Sequence, residues 1–266
     1  MTALKVWVQG IGLLGPGLAS WADAQGVLRG VQAHANIPAV LPSPARLPPA
    51  ERRRAGAAVK LALAIADEAV VRAQIDPGAL ATVFSSSSGE GVNCHALCET
   101  LATPAPMVSP TRFTNSVHNA AAGCWHIAVA SRASSTSVCA FDGSFGAGLI
   151  EAATSVRLSG EPVLLVASDS PYPEPLHATR PLPDHFGTAL LLTPAPGARS
   201  LAELAITLDT SSDTVNLCDD PSLEALRQAI PAARALPLLG ALARARAKQR
   251  IVLDYLPHLR VRIELA

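Results

Sequence analysis

The stretch STSVCAFDGSFGAGLIEAATSVRLSGE, Ser135 to Glu161, decides how the chain is read. An apolar, β-branched segment runs into small residues, and a helical pattern follows in which Phe145, Leu149, Ala152, Ala153 and Val156 form one stripe. Strand, tight turn and helix start is where many α/β proteins hold a nucleophile. A helix N-terminus lowers a thiol's pKa, and the adjacent backbone N–H groups can hold an oxyanion. Here the helix-start position is Gly143, which has no side chain. The one thiol in the stretch, Cys139, lies four residues earlier inside TSVCAF, where strand alternation predicts a buried, inert residue.

Outward from this stretch, strands alternate with helices. LKVWVQGIG reads as a strand ending in a glycine turn, and a Pro-rich connection leads to one long helix from Glu51 to Ala73. Its apolar face carries Val59, Leu63, Ala66 and Val70, with ERRR in its first turn. ATVFSSSSGEG reads as strand and turn, GVNCHALCETL as a short helix, APMVSPTRFTN as a loop and AAAGCWHIAVAS as a helix. PVLLVAS is a short apolar run of the buried-strand kind; FGTALLLTP, AELAITLD and LRVRIEL complete the strands. Between them, Ser222 to Lys248 is helix-rich and broken by Pro231 and Pro237. The alternation predicts a layered α/β fold.

Composition narrows the function classes. The 266 residues are 49% apolar and 16% charged, with no net charge, so no global field favours nucleic acid or an anionic membrane. No apolar run approaches the ~18 residues of a membrane span. Gly and Pro interrupt the opening MTALKVWVQGIGLLGPGLASWADA, so no secretory signal is expected there, and five cysteines suggest no small disulfide framework. A cytoplasmic chain is expected.

Other candidates have plain alternatives. GIGLLG, Gly10 to Gly15, matches a dinucleotide fingerprint, but Pro16 and Gly17 disfavour a helix start. No acidic residue follows about 20 positions on to hold a ribose, so an ordinary strand-end turn is favoured. CHALC offers Cys94, His95 and Cys98, yet no second ligand pair exists for zinc, so paired burial of the thiols is expected and no metal. Arg52, Arg53 and Arg54 suit a solvated face better than an acidic carrier protein. His118 and His126 suit hydrogen-bonded structural roles.

SPTRFTNSVHNAAAG (Ser109 to Gly123) and GSFGAGLIEAATSVRLSGE resemble two segments of the β-ketoacyl synthases of the thiolase fold. The first is similar to the segment beginning Ser-Pro and ending Asn-x-x-Ala-Gly. The second is similar to the helix that starts at the active cysteine, whose place falls on Gly143. QGIGLLGPG is similar to the family's first strand and turn. The resemblance implies a layered thiolase-like fold, in essence the N-terminal half of a ketosynthase with a shortened C-terminal part. The chain is read as one domain, 1–266, with 4–194 the part that resembles the family and 195–266 the shortened part.

The departures decide the expected function. The nucleophile is absent, no Gly-His dipeptide exists, and DHFGTA does not follow the family's histidine loop. The resemblance therefore implies a non-catalytic subunit, a chain length factor of the small type found in aryl polyene pathways. Such a subunit pairs with a cysteine-bearing β-ketoacyl synthase and meets acyl carrier protein through the complex. No cofactor is implied. The strand SSTSVCAF would pair edge to edge with its counterpart, and Cys94, His95, Cys98, Phe113, Ser137, Cys139, Phe141 and Phe145 are the interface or acyl-tunnel candidates. Two alternatives stay open: a stand-alone thiolase-like acyltransferase or condensing enzyme using Cys139, and a dinucleotide-binding domain using GIGLLG.

Overall fold

The computed structural model describes residues 3–210, 213–245 and 248–266. The first two residues of the opening segment and residues 246–247 of the expected helix-rich segment lie outside these. In chain order the elements are β1 (Leu4–Leu14), α1 (Trp21–Leu28), α2 (Pro49–Arg54), α3 (Ala57–Ala73), β2 (Ala81–Ser85), α4 (Gly91–Leu101) and α5 (Pro110–Thr114). There follow α6 (Ala120–Ala128), β3 (Ser135–Val138), α7 (Ser144–Ser159), β4 (Val163–Asp169), α8 (Leu176–Thr179), β5 (Phe186–Thr193) and β6 (Ala202–Asp209). The last are α9 (Pro221–Ala229), α10 (Leu236–Arg244), β7 (Gln249–Leu256) and β8 (Leu259–Leu265).

The strands form one sheet in the order β3-β2-β4-β5-β1-β6-β8-β7. β3, β2 and β4 are parallel, and every other pairing is antiparallel. β4 shows why the sheet sits between two helical layers. All seven of its residues are buried, Leu164 and Val166 on the α3 side, Val163 and Leu165 on the α7 side. Side chains alternate across a strand, so a strand apolar at every position needs cover on both faces. Each such Leu or Val contributes about 1.5–3 kcal/mol on burial.

α3 covers one face with Leu61, Ile65 and Ala69, supported by Trp125 of α6. Over the other face lie α7, the 3-10 turn Pro231–Ala235, α10 and α1, and the expected α7 stripe is buried in full. Residues 195–266 add strands to this same sheet: Ile251, Leu253, Val261 and Ile263 of β7 and β8 join the α7-side core.

Four expectations change. The Glu51–Ala73 helix is interrupted between α2 and α3, where Ala55 is extended and Gly56 caps α3. The expected loop APMVSPTRFTN contains α5, started by Ser109 Oγ accepting from Arg112 N. Pro237 lies in the first turn of α10, where a missing N–H is tolerated, so it starts that helix instead of breaking it. β7 (QRIVLDYL) is an element that the sequence reading did not name.

GIGLLG is also different in kind from a strand-end turn. Gly10 and Gly12 lie within β1, beneath α3: a Cβ on Gly12 would stand 1.9 Å from the Ile65 carbonyl oxygen, and one on Gly10 2.2 Å from that of Ala69. These glycines let a helix cross the strand at close range, which removes the dinucleotide fingerprint's phosphate role. The turn proper is at Gly17, with φ of +65°.

Candidate functional site: the head of α7

The chain leaves β3 at Val138, passes Cys139 and Ala140, and makes a 3-10 turn, Phe141–Gly143, before α7. Phe141 has φ of +51°, a left-handed conformation that costs an L-residue with a Cβ about 1–2 kcal/mol. Its neighbours hold it there. The Arg180 guanidinium lies 3.5 Å above the Phe141 ring and donates to Asp142 Oδ1 at 2.6 Å, while Arg234 reaches Asp142 Oδ2 at 3.3 Å. Ser144, buried at the helix start, accepts from Ala140 N and donates to Phe141 O.

Gly143 is buried and roofed. A Cβ there would stand 2.6 Å from the Tyr255 carbonyl oxygen, and one on Gly146 would stand 2.9 Å from Tyr255 Cδ2. Tyr255 is on β7, at the irregularity between Asp254 and Leu256, so a bulge aims this residue at the helix. The two amides at the helix start are also engaged: Gly143 N donates to Ala140 O at 2.8 Å and Ser144 N to Phe141 O. The position has neither room for a nucleophile nor free donors for an oxyanion.

The roof is itself fastened. Next to Tyr255, Asp254 accepts from Arg227 Nη1 at 2.8 Å, and Arg227 also makes a fork with Glu224. Arg227 is held above the ordinary arginine value by its Glu224 and Asp254 partners, and Glu224 is drawn down to about 2, chiefly by Arg227. On the other side, buried Asp169 at the end of β4 accepts from Ser87 N, Ser87 Oγ and Ala232 N. Burial pushes the Asp169 carboxyl up, against those hydrogen bonds.

The expected site residues divide into three sets. Cys139 is exposed, just beyond β3, and donates from Sγ to Ser87 O at 3.4 Å. The expectation of a buried strand residue fails because the strand stops at Val138 as the chain turns toward Phe141. Cys94 and Cys98 are exposed as well, so the expected burial of that thiol pair fails: α4 packs through Leu97 and turns both thiols outward. His95 meets Glu99 at 3.4 Å, and among the described residues no group of three or more potential ligands is placed to hold a metal. Phe145 is 1% exposed and belongs to the α7-side core, which removes it from the surface set. Phe113 and Phe141 are exposed, and Ser137 is half-buried on β3.

His118 bonds Ser86 O and His126 bonds Thr82 Oγ1, with burial holding His126 below the ordinary value. His185 of DHFGTA bonds Ser170 Oγ and is likewise held down by burial. Arg52 donates to the carbonyls of Ala45 and Leu47, leaving Arg53 and Arg54 on the solvated face.

The sequence reading missed Tyr255, Arg180 and Arg234. For Tyr255 a signal existed, because Ile251, Leu253 and Tyr255 alternate ahead of the turn that leads to LRVRIEL. The two arginines have no local signal.

Residues 21–247 match the family model described as β-ketoacyl synthase, N-terminal domain. No curated protein matches. Among solved structures, the chain is similar to one from a ketosynthase in complex with its chain length factor from Xenorhabdus doucetiae, at 24% identity and a TM-score of 0.73. That match covers 98% of this chain and 99% of the other. The ishigamide ketosynthase/chain length factor matches at 15% identity and 0.74, over 98% and 99% of the two chains. A structure described as a type II polyketide synthase acyl-carrier protein in complex with its ketosynthase matches at 12% and 0.74, over 100% and 99%. These likenesses show the thiolase-like layered fold, and the family match shows the kinship: the chain belongs to the β-ketoacyl synthase family.

Proposed function

We propose that this chain is a non-catalytic, chain-length-factor-like subunit that pairs in the cytoplasm with a cysteine-bearing β-ketoacyl synthase and shapes acyl chain elongation there. The observation that carries this reading is the closed head of α7, where Tyr255 leaves no room for a side chain at Gly143, the place the family resemblance gives to the nucleophile. A decarboxylative condensation needs a thiolate to carry the acyl chain and donors for the enolate. Partnering is supported by the open outer edge of β3, the end strand of the sheet, and by exposed Phe113, Val117, Ile127 and Phe141 in the segment leading to and past it. An uncovered edge beside apolar surface is a template for another chain. The solved neighbours that come from ketosynthase/chain length factor complexes support the same reading. Among the described residues no helix is long and apolar enough to cross a membrane.

The test is co-expression with a full-length ketosynthase of the same pathway, followed by intact-mass analysis after incubation with acyl–acyl carrier protein. Co-purification is expected, with the acyl group on the partner only. An acyl adduct on this chain that disappears in Cys139→Ala would establish the stand-alone acyltransferase reading instead.

A further inference from the structure

A second site lies away from Gly143, where the Pro-rich loop after α1 meets the end of β1 and one face of α3. Ala64, Glu68 and Arg72 are spaced by four, so they share that face. With the loop and the end of β1 they enclose a cavity of about 600 Å³. Buried Leu13, Leu14 and Leu18 line its inner side, and exposed Ile37, Val40 and Pro42 its outer side.

The loop is held in place while its own side chains stay uncovered. Ile37 O accepts from Gly17 N at 2.8 Å, Ala39 N donates to Asp184 Oδ2 at 3.0 Å, and His34 Nε2 bonds Pro16 O at 2.8 Å. Pro38 and Pro42 stiffen it further by fixing φ. Yet Ile37 is 63% exposed and Val40 80%. Two large apolar side chains fixed beside a cavity and left bare are surface that a bound apolar group would cover. A preformed, mostly apolar cavity of this volume suits a small molecule.

The polar groups select its charge. Glu68 is saturated: Oε2 accepts from Leu13 N at 2.9 Å, and Oε1 from Trp21 N at 2.9 Å and Arg72 Nε at 3.0 Å. Trp21 is the first residue of α1, so the positive end of that helix helps to balance the carboxylate. Arg72 uses only Nε in this pair, and among the described residues its Nη1 and Nη2 make no hydrogen bond. Its side chain is 38% exposed, which leaves the guanidinium open to a ligand. Free, forked N–H groups on a guanidinium match a carboxylate.

We propose that this cavity binds a small carboxylate with an apolar body, the body on Ile37 and Val40 and the carboxylate on the terminal N–H groups of Arg72. The proposal does not depend on the accessory-subunit reading, because no residue of the Gly143 cluster lines this cavity.

Octanoate, 1-octanol and acetate test it on the full chain, with affinities from ligand-observed NMR. Octanoate should bind at least threefold more tightly than 1-octanol and at least tenfold more tightly than acetate. Arg72→Met keeps an apolar stem without the charge; it should weaken octanoate at least threefold and leave 1-octanol unchanged. If that variant does not fold, Arg72→Lys keeps the charge without the fork and should narrow the preference for octanoate at least twofold. The double variant Ile37→Asn/Val40→Asn, on the exposed loop, should weaken octanoate and 1-octanol alike by at least threefold. A preference that survives at residue 72, a loop variant that binds as the parent does, or octanoate held no more tightly than 1-octanol or acetate would each overturn the assignment.

Discussion

The carbonyl oxygen of Tyr255 closes the space above Gly143, at 2.6 Å from where a Cβ would stand. Because the obstructing atom is backbone, no side-chain rotation relieves it. Gly143→Cys should therefore destabilise the chain by about 1–3 kcal/mol and still accept no acyl group. Gly123→Ala, on an exposed helix position with nothing within 4 Å, should stabilise it by about 0.5–1 kcal/mol. Urea unfolding of both variants checks the contrast. Equal midpoints for the two would remove the steric account.

The Arg227 fork that fastens the roof gives a pH signature. Glu224 is held at about 2, against an ordinary 4.5, first by its hydrogen bond from Arg227, with burial opposing. A depressed carboxylate contributes stability above its unfolded value and loses that contribution as pH falls toward the folded one. Stability should accordingly fall between pH 4.5 and about 2. Glu224→Gln should lower stability at pH 6 and flatten this part of the profile. A variant curve parallel to the parent's would show that the pair contributes nothing.

Two thiols should react at very different rates. Cys139 is exposed, whereas Cys218 is half-buried and pushed up to about 12, first by burial and then by Glu224. At pH 8 a thiol of that value is only ~0.01% thiolate. Iodoacetamide followed by peptide mass mapping should find Cys139 modified at least tenfold faster than Cys218. Comparable rates would mean that the α9 side of the molecule opens readily.

What the sequence disclosed depended on how local the cause was. The α7 stripe and the apolar run of β4 are periodic patterns, and both fall where periodicity puts them. The start of α7 at Gly143 was likewise legible, because a helix start can be found by counting. Its roof was not. Tyr255 reaches Gly143 only through the order of the sheet, which the alternation of Ile251, Leu253 and Tyr255 does not encode. Gly10 and Gly12 misled for a related reason: the close crossing of α3 that demands them is a tertiary fact. Cys139 was misplaced because strand alternation was carried beyond Val138, past the point where the chain turns to reach the left-handed Phe141.

The position of β8 governs the order of assembly. It follows β7 in sequence but is inserted between β6 and β7, so β7 joins the sheet only through β8. On the ribosome, the strand bearing Tyr255 therefore cannot be hydrogen-bonded into the sheet until the residues after it have emerged. The cover over Gly143 and Gly146 at the start of α7 thus becomes permanent only with the last strand of the chain.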